Sequence, residues 1–465
     1  MTRLLLILCL ALGVVIFGGT PHWVRVALIG LVLVMTLGTG IVQWGQRGVA
    51  VARTELVAAL LFLLAWAWGM AGSLDGSAPW FDWMNGPAAT PAAQVAAQLD
   101  LPPPDTLALL PVRAAEQAIW IGALGLLFCV ALFAARRTEK LGVQLFYATH
   151  AILGGAALYG VSMSSTGVEQ VLWHDKTAYQ GLLTGTFINP NHFSTLMVIG
   201  FMGALGLVIA DMQQRHRIAR LRRASVAIRS RVRYLIETTP LRLIGIGLCA
   251  LYAGAIYLAG SQGGIGTLGL ASGLTVGIVM FQQGRMILAL GALAGTAIVA
   301  WIGYQLLFGA GDAAAIGVDL SSLYSRTVLF STTLAIIESQ PILGTGLGSF
   351  QDMFRQAKPD WVLIAVDYAH NVYLELALEL GVPMTLVLLA SPLILLLRLI
   401  YLGHRSRMQN YVFRPLQIMA IGATLAVAIH GVVDFSVQIP GVAVTWLVIL
   451  GLAVGQVQPN TDALG

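Results

Sequence analysis

Long apolar runs alternate with shorter polar intervals along the whole chain. Twelve runs fall near 4–19, 22–42, 52–72, 114–135, 141–161, 187–210, 241–260, 264–282, 286–308, 383–402, 416–434 and 440–456. A helix needs about 20 apolar residues to cross a bilayer, so each run predicts a membrane-spanning helix. Within the runs the apolar residues are continuous. A membrane β-barrel would alternate them with polar ones, and in lipid only helices and closed barrels satisfy the backbone. The fold class expected is therefore an all-α polytopic membrane protein with about 12 transmembrane helices. The first run has the look of a signal peptide, but it lacks a clear Ala-x-Ala step and a second run follows almost at once. It reads as the first span.

Composition agrees with this pattern. Only 10% of the 465 residues are charged, against about 25% in a soluble domain. The three cysteines, Cys9, Cys129 and Cys249, all lie in apolar runs and read as small buried hydrophobes rather than a disulfide or metal set. The distribution of charge says more than its total. Twelve spans starting from a cytoplasmic N-terminus leave only Arg25, Arg113, Lys176, Arg326, Arg355 and Lys358 on the outer side, six of 26 basic residues. The acids go the other way, with five of 21 inside: Glu55, Glu139, Asp211, Glu237 and Asp462. A miscounted span would scramble this asymmetry, so both termini are expected in the cytoplasm.

The polar intervals divide the chain. Residues 1–140 are N-terminal spans carrying a Pro/Ala-rich outer loop at 73–113, with Trp80 and Trp83 in it. Residues 141–465 hold the remaining spans, an arginine-rich inner loop at 211–242 and a long outer segment at 309–382. The inner loop spaces apolar residues among eight arginines from Arg215 to Arg233; it reads as a topogenic loop or as a surface helix on anionic lipid. Nucleic acid is not an expected partner for so short a loop between spans. Trp173 and Trp361, like Trp80 and Trp83, sit within loops and fit either interface anchoring or sugar stacking.

Candidate chemistry concentrates between Ser321 and Gly381. Ser321 or Ser322 can cap a helix to about Glu338, with Leu323, Val328, Leu334 and Ile337 on a rough apolar face. Pro341 and the Gly344–Gly348 turn follow. The N–H groups of such a turn can cradle an anion, or its glycines can allow close helix packing. A short helix over 350–356 and another from Asn371 to Glu379 complete the segment. Arg326 suits bidentate phosphate binding or a salt bridge to an outer carboxylate. His370 can act as a base toward a sugar hydroxyl or can be structural. Further polar groups meet the same membrane face: Asn189, Asn191 and His192 in Asn-Pro-Asn-His, where Asn191 is the expected helix cap; Gln262 in SQGGIG; Asn371; and Asp434 with Gln438 in HGVVDFSVQIP.

Five segments, TGTFINPNHFST (184–195), SQGGIG (261–266), SRTVLFSTTLAIIESQPILGTGLGSF (325–350), AHNVYLELALELG (369–381) and HGVVDFSVQIP (430–440), resemble in order and spacing the O-antigen ligase and polysaccharide polymerase superfamily. The likeness runs from about residue 145 to the end. It implies a GT-C-like, metal-independent and inverting glycosyltransferase without cofactor, in a bacterial inner membrane with its site facing the periplasm. It implies as partners an undecaprenyl-diphosphate-linked oligosaccharide, an acceptor glycan or glycolipid, the lipid bilayer and polysaccharide-assembly proteins. By the same resemblance Arg326 contacts the diphosphate and His370 is the base. Asn189, Asn191, His192, Asn371 and Asp434 would shape the acceptor side. The family's small loop usually reads Ser-Arg-Gly-Gly, whereas this chain has Ser261-Gln262-Gly263-Gly264. Gln262 can bond a phosphate oxygen without neutralising it, so Lys176, Arg355 or Lys358 would supply the second charge. The departure tilts the expectation toward a surface-polysaccharide or exopolysaccharide polymerase over a ligase acting on lipid A core. A transporter or flippase would place ionisable groups at mid-span and repeat one half in the other; neither pattern is present.

Overall fold

The computed structural model describes residues 1–44, 51–74, 108–221, 239–308, 320–363, 365–405 and 413–457. Residues 80 and 83, most of the Pro/Ala-rich loop and the centre of the basic inner loop lie outside these. Helices occupy all twelve apolar intervals: α1 Thr2–Val15, α2 His22–Trp44, α3 Arg53–Ala71, α4 Pro111–Arg137, α5 Glu139–Thr166, α6 Pro190–Leu221, α7 Pro240–Leu258, α8 Gln262–Gln282, α9 Met286–Phe308, and three more after the outer segment. That segment contributes α10 Leu320–Ser339, α11 Phe350–Ala357 and α12 Val372–Leu380. The chain then returns to the bundle as α13 Val382–Arg405, α14 Arg414–His430 and α15 Pro440–Gln456. Among the described residues, seven helices are long and apolar enough to cross a membrane, and five further apolar helices are shorter. The molecule is a helical, multi-pass membrane protein.

Prolines start many of these helices. Pro111, Pro190, Pro240 and Pro440 each open one, where the missing N–H costs nothing and the fixed φ already suits a helix. α6 is the central post. It packs against α7 and α14, with α8, α5 and α15 also in contact, and Leu196, Met197, Val198, Ile199 and Met202 on it are fully buried. α15 lies against α4 and α1, and α13 against α3. Of the cysteines, Cys9 is fully buried, while Cys129 and Cys249 are only partly so.

The two ends of the bundle differ. At one end Glu55 is buried and pairs with Arg136 and, at 3.3 Å, with Arg398, tying α3, α4 and α13 together. Asp211 of α6 meets Arg242 at 2.8 Å and Arg215 at 3.4 Å. At the other end α10, α11 and α12 form an arm with its own small core of Leu329, Ile336, Ile337, Phe350, Met353, Phe354, Ala369 and Leu378. The apolar face of α10 is therefore rotated from the sequence expectation: Leu329, Ile336 and Ile337 point in, while Leu334 is 46% exposed. α10 begins at Leu320, so Ser321 and Ser322 lie in its first turn rather than ahead of it. Gly381 turns the chain from α12 into α13 at φ 78°, and a Cβ there would stand 2.0 Å from the Ile342 carbonyl oxygen.

Candidate functional site

His370 is the most constrained residue of the arm. Its φ is +50°, a left-handed conformation that costs a non-glycine residue about 1–2 kcal/mol. Contacts on both sides hold it there. Asn371 caps α12 by accepting from the Tyr373 and Leu374 N–H groups, each at 3.0 Å. Its amide donates to the Val432 carbonyl at 3.0 Å. The Val372 N–H donates to Gly431 O at 2.9 Å, and the Tyr373 hydroxyl donates to Ala428 O at 2.6 Å. The arm is thus fastened to the end of α14 and the loop beyond it.

That loop carries Asp434. His370 Nδ1 lies 3.5 Å from Asp434 Oδ1, and His192 Nε2 lies 3.7 Å from Asp434 Oδ2. Both are ion-pair distances, long for hydrogen bonds. The Ser436 hydroxyl donates to Oδ2. Burial pushes the Asp434 carboxyl up, but His370, His192, His430 and Ser436 outweigh it and hold the group well below the usual carboxylate range. Asp434 is therefore an anion at any physiological pH. An aromatic wall stands beside it. Tyr368 stacks on Phe435 at 3.9 Å, and the rings of His370 and His192 meet Phe435 edge-on at 5.0 and 4.6 Å.

Two other motifs interlock just below. Asn189, not Asn191, caps α6: its side-chain oxygen accepts from the Asn191 N–H at 2.8 Å, because Pro190 takes the first helical position. Asn191 instead accepts from the Ser261 hydroxyl at 2.7 Å, and Ser261 caps α8 by accepting from the Gly264 N–H at 3.0 Å. His430 is held by Thr195 through Nδ1. Its Nε2 abuts α8, where a Cβ on Gly263 would come within 2.9 Å. Gly263 thus serves close approach rather than ligand access. Arg326, in the second turn of α10, is near enough to His430 for its charge to bear on the ring. Among the described residues it has no ion pair. Gln262 is exposed in the first turn of α8. Asn189 donates to the Tyr179 hydroxyl at 3.2 Å, and that hydroxyl is pushed up by burial and by the Asp434 charge.

The structure thus gathers His370, Asn371, His192, Asn189, Asn191, Asp434 and Arg326 around one end of the bundle, with Gln262 on the adjoining turn. Lys176 is elsewhere: it donates to Leu182 O at 2.7 Å and pairs with Glu169 at 3.4 Å within its own loop. Arg355 pairs with Asp352 at 2.6 Å with a side chain 70% exposed. Lys358 follows α11, at its C-cap. Trp173 and Trp361 are largely exposed. The glycine turn at 344–348 does receive a carboxyl group, but it is the chain's own. Glu379 accepts from the Phe350 N–H at 3.3 Å. Burial and the Glu375 charge push its carboxyl up, and the Gly348, Ser349 and Phe350 N–H groups pull it down.

Sequence reasoning did not single out Phe435, Tyr368, His430, Thr195 or Glu375. The four-residue spacing of His430 and Asp434 in HGVVD was the available signal, since it sets Asp434 one turn beyond His430 at the end of α14. Among the described residues, no group of three His, Cys, Asp or Glu side chains is arranged to hold a metal ion. Residues 247–389 match the family model described as O-antigen ligase. The match takes in Gln262, Arg326, His370 and Asn371 and stops short of His192 and Asp434. No curated protein matches the chain.

Proposed function

We propose that this chain, whose residues 247–389 match the O-antigen ligase family model, transfers a glycan from a polyprenyl diphosphate carrier to a sugar hydroxyl, with His370 as base. The observation that supports this most is the contact of His370 Nδ1 with the buried Asp434 carboxylate at 3.5 Å. It fixes the ring and leaves Nε2 for the acceptor. The acceptor oxygen attacks the anomeric carbon as its proton passes to Nε2. The bond from that carbon to the diphosphate oxygen breaks, and the electron pair leaves with the diphosphate. One displacement of this kind inverts the anomeric centre.

Asp434 stabilises the imidazolium as it forms. Arg326, a cation with no ion pair among the described residues, meets the negative charge growing on the leaving diphosphate. We take the arm to face the periplasm, a reading that the uneven distribution of basic residues between the two sides of a twelve-span chain supports. On the departure at Gln262 we take growth of a carrier-linked polymer as the working direction. Purified protein in liposomes, given a carrier-linked repeat unit with and without lipid A core, tests the reading. Ladders without the core acceptor identify a polymerase, and transfer only to the core identifies a ligase. Folded Arg326→Ala and His370→Ala variants with full transfer activity would overturn the mechanism.

A further inference from the structure

Glu375 is a buried carboxylate in the first turn of α12, only 4% exposed, that takes no direct part in the displacement above. Its two oxygens reach in different directions. Oε2 accepts from the Ala369 N–H at 2.8 Å, on the residue immediately before His370. Oε1 accepts from the Gln438 side-chain amide at 2.9 Å. Gln438 ends the 3-10 turn Ser436–Gln438 that follows Asp434 and Phe435. One side chain therefore spans from the base's own backbone to the loop that carries the base's carboxylate partner.

The neighbouring bonds make this bridge consequential. Asn371, Val372 and Tyr373 secure the chain on the C-terminal side of His370. On the N-terminal side, residues 365–369 have no regular structure, and Ala369 is fully buried. Without Glu375 the Ala369 N–H is a buried donor with no acceptor, and turning the 368–369 peptide to seek one shifts the backbone that leads into His370. We propose that Glu375 is a positioning residue, holding the His370 ring at the separation from Asp434 at which the pair can act. This rests on the transferase reading. Burial pushes the Glu375 carboxyl up, partly countered by the Ala369 and Gln438 bonds and by His370. The geometry asks for an acceptor toward Ala369 and a bond to Gln438, and a glutamine meets both: its carbonyl accepts from Ala369 while its amide donates to a Gln438 side chain flipped about its last torsion.

The test compares Glu375→Gln, Glu375→Ala and Gln438→Ala in liposomes, reading kcat and donor KM together with hydrogen–deuterium exchange over residues 365–371. A displacement of about 1 Å can cost about 10²-fold in rate. Glu375→Ala is expected to lose about that much in kcat, with donor KM within about threefold and faster exchange at 365–371. Glu375→Gln should restore kcat to within about threefold and restore protection, and Gln438→Ala should fall between. Should Glu375→Ala fail to insert, the other two variants carry the test. Full kcat in Glu375→Ala or Gln438→Ala, or loss in Glu375→Gln equal to that of the alanine variant, overturns the positioning role. Wild-type protein without transfer activity but with the same exchange differences between variants would instead overturn the transferase reading and leave the bridge standing.

Discussion

Asp434→Asn isolates the charge beside His370 while keeping the shape of the side chain. At 3.5 Å from Nδ1, a unit charge attracts an imidazolium by about 5 kcal/mol at an effective dielectric of about 20. Only part of this is lost on substitution. Asparagine keeps a dipole toward the ring, and His370, with a side chain 33% exposed, is partly screened by water. A loss of about 2–3 kcal/mol remains, which is about 30- to 150-fold in kcat. Donor KM should change little, because Asp434 is 1% exposed and does not reach the substrate. The assay is initial-rate transfer from a carrier-linked glycan in liposomes, over a range of donor concentrations, with thermal unfolding in detergent as the folding control. A variant with wild-type stability and kcat within about threefold of wild type would refute the stabilised-imidazolium account. A change confined to KM would reassign Asp434 to substrate binding.

Three further outcomes follow from packing and charge. Glu379→Gln should flatten the pH dependence of stability. A carboxyl raised by burial costs the native state as it ionises, so the wild type loses stability as pH rises from the ordinary glutamate range through neutrality. Unfolding midpoints across that range decide it, and an unchanged slope counts against the assignment. Gly263→Ala pushes a Cβ within 2.9 Å of His430 Nε2, and overpacking of this kind costs about 1–3 kcal/mol; calorimetry should find that loss together with reduced transfer. Glu55→Gln leaves Arg136 and Arg398 without their buried anion, a loss of about 3–5 kcal/mol that thermal unfolding should register with no role for the substrate.

What was legible in the sequence follows the range of the forces involved. An apolar run long enough for a bilayer is a local property, and each of the twelve runs is a helix. The short helices of the arm were also readable, because Pro341, the glycine turn and Asn371 punctuate them locally. Orientation about an axis was not: Leu334 and Ile337 look alike in sequence, and only packing against Phe350 and Phe354 decides which is buried. Caps two residues apart were ambiguous for a similar reason, since Asn189 and Asn191 flank the same proline. From sequence the glycine turn fits either an anion cradle or close packing, because Glu379, some thirty residues on, fills it only after α12 folds back. Phe435 escaped notice because its role is to touch three rings from two other segments, 368–370 and the start of α6.

The three histidines around Asp434 present very different faces to an electrophile. His430 is 1% exposed, pinned through Nδ1 by Thr195 and at Nε2 by α8, so its ring can neither rotate nor be reached. His192 has a side chain 7% exposed, against 33% for His370. A histidine-selective acylating reagent therefore sees one residue of this cluster where the sequence shows three, and such a covalent probe can report on the arm without a tag.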